Sequence, residues 1–194
     1  MFLSTVLDRR PIVVALAGAN GAGKSTFYDA ILAPIGLRFV NADELALRLG
    51  MDPYKAAELA DTLRRELVAS GESFVFETVF SDPAGEKLKF LQKAEEQGYT
   101  VLLIFIGIST PELSDLRVTM RATAGGHDVP RQKLFERFPR TLNNLKYALA
   151  KLSNVWVYDH SDLDRGYVLV ARKQNQQSVE LFEPVPEWLR SLLP

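Results

Sequence analysis

Short apolar runs alternate with longer stretches of mixed polarity along the chain, and this alternation predicts a βαβ arrangement. Six runs rich in Val, Ile and Phe predict strands at residues 12–18, 37–43, 73–78, 100–107, 154–159 and 167–172. Their apolar residues are consecutive rather than alternating, which is typical of parallel strands that helices cover on both faces. We therefore expect an α/β fold with three layers and a mainly parallel sheet of five to six strands.

Prolines mark the starts of the helices between these runs. Three positions combine an N-cap oxygen with a following proline, which has no N–H to leave unpaired in a first turn: 52–53, 82–83 and 110–111. From residue 134 to 152, apolar residues recur at three- and four-residue steps, the pattern of a helix with one buried face. Pro139 lies inside this stretch, so we expect either a kink or the start of a second helix there.

Composition narrows the range of functions. The chain has 194 residues, 47% of them hydrophobic, so we expect one domain over residues 1–194. Its 23 Lys and Arg residues balance 24 Asp and Glu residues, and the chain lacks the global positive charge that binds DNA or an anionic membrane. It has no cysteine and two isolated histidines, which excludes disulfides and cysteine-based zinc sites. Without a secretory signal or a membrane-length apolar run, we expect a cytoplasmic protein.

The most specific motif directly follows the first predicted strand. It reads GANGAGKST, in the spacing G-x-x-x-x-G-K-S. Glycines let backbone N–H groups converge on a polyphosphate, and the N-terminus of the next helix adds positive potential. Lys24 would reach the β- and γ-phosphates, and the Ser25 hydroxyl would be a magnesium ligand. The alternative is a glycine-rich turn without a ligand, but strand, spacing and helix all favour binding of a nucleotide polyphosphate by Gly18, Ala19, Asn20, Gly21, Ala22, Gly23, Lys24, Ser25 and Thr26.

The rest of the chain must separate the classes that share this loop, namely GTPase switches, motor ATPases and small-molecule kinases. Switches and motors usually hold magnesium with an Asp at the end of a strand near the loop, whereas the 100–107 run ends in Gly107. No N-K-x-D pattern that would recognise guanine is present. We therefore expect a P-loop NTPase fold of the kinase class that uses ATP, with GTP as the alternative, together with Mg²⁺.

Two acids stand at predicted strand ends, at the edge of the sheet where the phosphate-binding loop lies. Asp43 closes the second strand, where a carboxylate can accept the proton of an attacking hydroxyl. Its alternative role is to cap the helix that follows. Glu77 and Thr78 close the third strand. They either hold substrate hydroxyls or magnesium-bound waters, or they form a solvated strand end.

Residues 115–151 are locally cationic in a nearly neutral chain. Arginines supplied in cis can neutralise the charge that phosphoryl transfer spreads over the γ-oxygens. Arg121 and Arg131 flank Gly125-Gly126, which we interpret as the hinge of a helical lid over about residues 115–140. The alternative is a solvated helix face. The cations of the segment are Arg117, Arg121, Arg131, Lys133, Arg137, Arg140, Lys146 and Lys151.

Together these motifs resemble the zeta toxin family of P-loop kinases and its compact bacterial ATPases. The matching stretches are GANGAGKST, FVNADEL, FVFETVFS and GGHDVPRQKLFERFPRTLNNL, spread over residues 12–158. The resemblance implies a parallel-sheet kinase fold, with ATP or GTP and magnesium as the source of the phosphoryl group. In toxin members it also implies transfer to a sugar hydroxyl of UDP-N-acetylglucosamine.

The resemblance also assigns roles to individual residues. Lys24 and Ser25 match the phosphate and magnesium residues of the family, and Asp43 matches its catalytic base. Glu77 and Thr78 match a substrate-contacting position. Arg121 resembles the phosphate-contacting arginine before the lid. A second such cation falls in GGHDVPR or just beyond it, with three rival candidates: His127, Arg131 and Arg137.

We therefore expect a kinase that transfers the γ-phosphoryl group of ATP to a hydroxyl of a small metabolite, namely a nucleotide sugar of the UDP-N-acetylglucosamine type. One alternative is a nucleotide-dependent binding protein regulated by a partner such as an antitoxin-like inhibitor. A second is a polynucleotide kinase, which the net charge of −1 disfavours. A third is an adenylate- or shikimate-type kinase, which differs only in its acceptor. Residues 172–194 are expected to form a loosely packed C-terminal extension around Leu181, Phe182 and Trp188.

Overall fold

A computed structural model describes residues 6–123, 125 and 129–193. Its sheet has seven strands in the order β2-β3-β1-β4-β5-β6-β7. Neighbours among β1 to β5 pair in parallel, while β6 and β7 join antiparallel to their neighbours. The strands are β1 (Ile12–Ala17), β2 (Arg38–Val40), β3 (Phe74–Thr78), β4 (Thr100–Gly107), β5 (Val155–Asp159), β6 (Val168–Lys173) and β7 (Glu180–Leu181).

Helices flank this sheet, and the predicted α/β class with a mainly parallel sheet is confirmed. The strand count exceeds the expected five to six because the two-residue strand β7 is added at the edge. Among the described residues, no helix has the length and apolar character needed to cross a membrane. The helices are α1 (Lys24–Phe27), α2 (Ala42–Leu49), α3 (Pro53–Ala69), α4 (Glu86–Glu96), α5 (Pro111–Thr123), α6 (Arg131–Lys151) and α7 (Glu187–Arg190).

Each face of the sheet carries its own hydrophobic core. Strand β1 contributes to both, because alternate residues of a strand point to opposite faces. Every residue of β1 is buried, which explains why the run has no polar alternation. The first core includes Val13, Ala15 and Ala17 with residues of α3, α4 and α6. The second includes Ile12, Val14 and Leu16 with Phe27 of α1.

Helix α6 continues through Pro139, so the alternative of a second helix starting there is wrong. Two side chains further along α6 hold it against the loop after β3. The Thr141 hydroxyl donates to the carbonyl of Val79 at 3.0 Å, and the Asn144 amide donates to that of Phe80 at 2.9 Å. These contacts help to keep the helix in place where the proline removes one backbone hydrogen bond.

Two boundaries differ from the sequence prediction. Strand β2 ends at Val40, and α2 already begins at Ala42. Helix α4 begins only at Glu86, after Gly85 as N-cap, so the 82–83 pair lies in the preceding loop. The helix starts at 52–53 and 110–111 are confirmed.

The C-terminal residues do not pack loosely around Trp188. This side chain is 7% exposed, and its indole N–H donates to Asp159 Oδ1 at 2.8 Å. A Cβ at Gly107 would lie 2.2 Å from the Trp188 ring, so the indole packs directly on the end of β4. Leu181, by contrast, remains exposed on the edge strand.

Candidate active site

The phosphate-binding loop connects β1 to α1, and its glycines are required by its conformation. Gly18, Gly21 and Gly23 have φ angles of 144°, 71° and 93°, a region that other residues rarely adopt. A Cβ at Gly18 would lie 2.2 Å from the carbonyl oxygen of Ile106 on β4. The loop therefore passes too close to β4 for any larger residue at that position.

The side chain of Lys24 is buried beneath this loop. Its Nζ donates to the carbonyl of Ala19 at 3.1 Å and lies 3.6 Å from Glu77 Oε1. Burial lowers the pKa of Lys24, and the positive charge of Arg121 acts in the same direction, whereas the carboxylates of Glu77 and Asp43 oppose the shift. The charges of three predicted site residues, Glu77, Asp43 and Arg121, thus all act on Lys24.

Glu77 occupies the centre of this arrangement. Its side chain is 13% exposed, and it accepts hydrogen bonds from Ser25 Oγ at 3.3 Å and from Asn41 Nδ2 at 3.2 Å. The alternative interpretation of Glu77 as a solvated strand end is therefore wrong. Sequence analysis did not single out Asn41, although it lies in the FVNADEL stretch.

Asp43 lies in the first turn of α2 rather than at the end of a strand. It is not the cap of this helix, because Asn41 Oδ1 accepts from the backbone N–H groups of Asp43 at 2.8 Å and Glu44 at 3.3 Å. The capping alternative is therefore wrong. Asp43, Glu77 and Thr78 together line a cavity of about 160 Å³.

Ser25 and Glu77 offer the hydroxyl and carboxylate oxygens that Mg²⁺ prefers. The described residues contain no group of three or more His, Cys, Asp or Glu side chains that could hold a metal ion on its own. Mg²⁺ usually keeps several waters and is held by one or two protein groups plus substrate phosphates. The Ser25 hydroxyl and the Glu77 carboxylate are thus suitable for the ion of a nucleotide complex.

The predicted lid cations lie in different surroundings. Arg131 is 71% exposed, and its Nε lies 3.2 Å from Asp115 Oδ2, an ion pair that joins α6 to α5. Such surface pairs contribute about 0 to 1 kcal/mol, so a ligand can displace this one at little cost.

Arg137 lies one turn before Thr141 on α6. His127 lies outside the described residues, as does Gly126 of the predicted hinge, and the lid roles stay predictions.

Arg117, one of the cations of the locally cationic segment 115–151, has a structural role. Its guanidinium donates to the carbonyls of His160 at 2.8 Å and Ser161 at 3.1 Å. These contacts tie α5 to the segment that follows β5. Arg117 therefore holds backbone in place, whereas the positive charge of Arg121 helps to lower the pKa of Lys24.

Three side chains that sequence analysis missed anchor the carbonyl groups of the phosphate-binding loop. Ser114 Oγ donates to Asn20 at 2.7 Å, and the Tyr167 hydroxyl donates to Gly23 at 2.7 Å. His160 Nδ1 lies 2.8 Å from the carbonyl oxygen of Ala22, and because a carbonyl only accepts, Nδ1 carries the hydrogen. The His160 ring also stacks on Tyr167, with 4.1 Å between centroids.

Comparison with known proteins decides the family. The zeta toxin family model matches residues 54–179. The chain belongs to the zeta toxin family. The match includes Glu77 and the helices α5 and α6, and the resemblance inferred from the motifs is thereby confirmed. No curated protein matches this zeta toxin family chain.

Solved structures share the fold of this zeta toxin family chain. The AvrRxo1-ORF1:AvrRxo1-ORF2 complex with sulphate ions contains a chain with 21% identity and a TM-score of 0.68, covering 94% of this chain and 65% of that one. The complex with ATP gives 21% identity, a TM-score of 0.68 and coverage of 92% and 64%. The PezAT toxin-antitoxin system of Streptococcus pneumoniae gives 22% identity, a TM-score of 0.57 and coverage of 86% and 77%. The chain thus spans about two thirds of the AvrRxo1 chains it matches.

Proposed function

We propose that this zeta toxin family chain is a phosphotransferase that moves the γ-phosphoryl group of ATP to a hydroxyl of a small molecule. The observation that carries the proposal is the buried Lys24 beneath a glycine loop of the phosphate-binding type, 3.6 Å from Glu77, which lines a cavity together with Asp43. Family membership supports it, as does the existence of an AvrRxo1 complex with ATP. In this proposal residues 1–194 act as one kinase domain.

Each residue has a separate task in the proposed transfer. Asp43 accepts the proton of the attacking hydroxyl as the new O–P bond forms, while the bond between the γ-phosphorus and the β–γ bridging oxygen breaks and ADP leaves. Lys24 and Arg121 stabilise the negative charge of the transferring group, and the fixed positions of such charges supply most of the catalysis in phosphoryl transfer. Thr78 lines the same cavity as Asp43, where its hydroxyl can orient the acceptor. Arg131 and Arg137 are proposed to approach the phosphates when the lid closes, with His127 a further candidate.

Magnesium fits this proposal through Ser25 and Glu77. When bound with the nucleotide, the ion neutralises charge on the β- and γ-phosphates. The Ser25 hydroxyl would be its protein ligand, and the Glu77 carboxylate would hold its waters. In the structure the two side chains already contact each other at 3.3 Å.

A sugar of the UDP-N-acetylglucosamine type is the acceptor we propose. The acid-lined cavity can hold a hydroxyl-bearing group next to Asp43. An antitoxin-like inhibitor is the proposed protein partner, since the PezAT neighbour is described as a toxin-antitoxin system.

The proposal is tested by incubating the protein with Mg²⁺ and γ-labelled ATP, with and without UDP-N-acetylglucosamine. We expect label in the sugar nucleotide, separated from free phosphate by chromatography. If a screen of metabolites instead finds label in another hydroxyl compound, the protein is still a phosphotransferase, but its acceptor is that compound. Tight ATP binding without label in any acceptor would contradict the proposal and favour a nucleotide-dependent binding protein.

Tyr167→Phe tests the anchoring of the phosphate-binding loop. The change removes the hydroxyl that donates to Gly23 but keeps the ring that stacks on His160. One hydrogen bond contributes about 0.5 to 1.5 kcal/mol, so we expect ATP affinity, measured by calorimetry, to fall by about two- to tenfold. Tyr158→Phe is the matched control, because Tyr158 also packs on Phe27. If the unaltered protein, Tyr167→Phe and Tyr158→Phe bind ATP with equal affinity, the Tyr167 hydroxyl does not shape the phosphate-binding loop.

A further inference from the structure

The loop that follows β3 holds one residue in an unusual backbone conformation. Phe80 has a φ angle of 60°, in the left-handed region that bulky residues rarely adopt. Its side chain is nevertheless buried in the first core. A glycine would suit this backbone but would leave a void in the core, so burial of the ring favours a phenylalanine. Such a conformation persists only where the surrounding structure holds it, and it is common next to active sites.

Two side chains hold the backbone of Phe80 in this conformation. Its N–H donates to Thr78 Oγ1 at 3.0 Å, and its carbonyl accepts from Asn144 Nδ2 at 2.9 Å. The same Nδ2 donates to the carbonyl of Asp82 at 3.1 Å, so both hydrogens of the amide are used. Asn144 is buried and lies on α6. One side chain of α6 therefore bonds the loop after β3 at two points.

The hydrogen bond from Phe80 determines what the Thr78 hydroxyl can do. A hydroxyl has one hydrogen and two lone pairs, and the Phe80 N–H occupies one lone pair of Thr78 Oγ1. The hydroxyl hydrogen must therefore point elsewhere, and no described residue accepts it. Thr78 lines the acid-lined cavity together with Asp43 and Glu77. It thus offers a hydrogen-bond donor beside two carboxylates, which only accept.

We propose that Asn144 is a positioning residue for the phosphoryl acceptor. It holds Phe80 in the left-handed conformation, and the Phe80 N–H in turn fixes Thr78 Oγ1 so that the hydroxyl donates to an oxygen atom of the acceptor. Asn144 does not line the cavity, and it acts only through these two hydrogen bonds. Without it, Phe80 relaxes towards negative φ, and the Thr78 hydroxyl loses its fixed direction. The inference rests on the proposed function, because it concerns the acceptor side of the same site.

Thr78→Val tests the end of this series of contacts. The substitution removes the hydroxyl and keeps the branched shape of the side chain. Because one hydrogen bond to the acceptor is lost, we expect KM for UDP-N-acetylglucosamine to rise about two- to tenfold. Loss of such binding leaves kcat little changed, and KM for ATP should stay the same. Thr78→Ser keeps the hydroxyl and should retain the KM of the unaltered protein. Transfer of label from γ-labelled ATP measures these constants.

Asn144→Ala tests the start of the series. We expect KM for UDP-N-acetylglucosamine to rise by up to the same factor, with kcat and KM for ATP little changed. Asn154→Ala is the matched control, because Asn154 is also buried and its Nδ2 donates to the carbonyl of Val101 at 3.0 Å. Asn154 directly precedes β5, at the edge of the sheet opposite the phosphate-binding loop. Both variants should have a lower melting temperature, but Asn154→Ala should not raise KM.

The Thr78→Val/Asn144→Ala double variant separates positioning from a merely structural role. If Asn144 acts through Thr78, its loss has no further effect on KM once the hydroxyl is gone. Residues that act independently instead show additive free energies, so their factors in KM multiply. A double variant in which the two factors multiply would overturn the inference. The inference would also be overturned if Asn144→Ala raised KM no more than Asn154→Ala does.

Hydrogen exchange at the Phe80 amide, followed by NMR, tests the inference without turnover. We expect this amide to exchange faster in Thr78→Val and in Asn144→Ala than in the unaltered protein and in Asn154→Ala. An unchanged exchange rate in Asn144→Ala would overturn the inference and leave the phosphotransferase intact.

Calorimetry of UDP-N-acetylglucosamine binding, with a non-hydrolysable ATP analogue and Mg²⁺, separates the inference from the proposed function. We expect Thr78→Val and Asn144→Ala to weaken binding by the same factors by which they raise KM. If both variants bind more weakly but the unaltered protein transfers label to no acceptor, the phosphotransferase is overturned and the positioning role is retained. If the unaltered protein transfers label and both variants bind as tightly as it does, the positioning role is overturned.

Discussion

Replacing Asp43 by Asn is expected to lower phosphoryl transfer by about 10²- to 10⁴-fold, the usual contribution of a general base. ATP affinity should stay nearly unchanged. The substitution removes the group that accepts the proton but keeps size and shape. It also leaves α2 intact, since the cap of this helix is the Asn41 side chain and only the backbone N–H of Asp43 takes part. Single-turnover transfer of label from ATP to the acceptor, with calorimetry of ATP binding, measures both effects.

Glu44→Gln provides a control one residue away. Glu44 shares the first turn of α2 with Asp43, but its carboxylate pairs with Arg48 at 2.5 Å. The Glu44→Gln change removes one negative charge from the N-terminus of α2, as Asp43→Asn does, but Glu44 does not line the acid-lined cavity. Transfer by Asp43→Asn at the rate of the Glu44→Gln variant would refute the role of Asp43 as base.

The sequence predicts the phosphate-binding loop well because several local requirements coincide there. Consecutive apolar residues predict the buried strand β1, and the spacing of the glycines marks a loop that must pass close to β4. The contact of Gly18 with Ile106 shows that this requirement is steric. The local motif and the tertiary packing therefore require the same glycines. Sequence analysis predicts positions of this kind best, because the local pattern alone already identifies them.

The position of Asp43 shows where local signals compete. An apolar run followed by Asn-Ala-Asp predicts a strand that ends in an acid, with capping of the next helix by Asp43 as the alternative. Asn41 caps the helix instead, and its amide also donates to Glu77 at 3.2 Å. Both residue types are good caps, so the local sequence does not distinguish them. The contact of Asn41 with the neighbouring strand is long-range information that favours one of them.

The anchors of the loop were not predictable for a similar reason. Ser114, His160 and Tyr167 lie far from the loop in sequence and form no motif with it. Each donates to a backbone carbonyl, and a carbonyl is present at every residue. The contacts become visible only when the sheet order places α5 and the segment after β5 next to the loop.

The C-terminal residues were expected to pack loosely because polar residues precede them. Trp188 nevertheless fills the space over Gly107, and its indole N–H donates to Asp159. A glycine at the end of a strand and a distant tryptophan are each unremarkable in the sequence. Their fit depends on a surface that exists only after β4 and β5 have paired.

Replacing Lys24 by Ala is expected to lower transfer by about 10²- to 10³-fold, the loss typical of removing one group that stabilises the charge of a transition state. The buried ammonium loses its contacts with Ala19 and Glu77, and in the proposed complex the phosphates lose their point charge. Because Glu77 retains hydrogen bonds from Ser25 and Asn41, it is not left without partners. ATP affinity and transfer rate are measured by calorimetry and label transfer.

Lys173→Ala separates the loss of this charge from the loss of a buried lysine in general. Lys173 is also buried, and its Nζ donates to the carbonyls of Leu149 at 2.8 Å and Ala150 at 3.2 Å at the end of α6. Its removal should lower the melting temperature without changing ATP affinity. If both variants lost transfer to the same extent, destabilisation would explain the effect. Unchanged kinetics in Lys24→Ala would contradict the entire phosphate-binding interpretation.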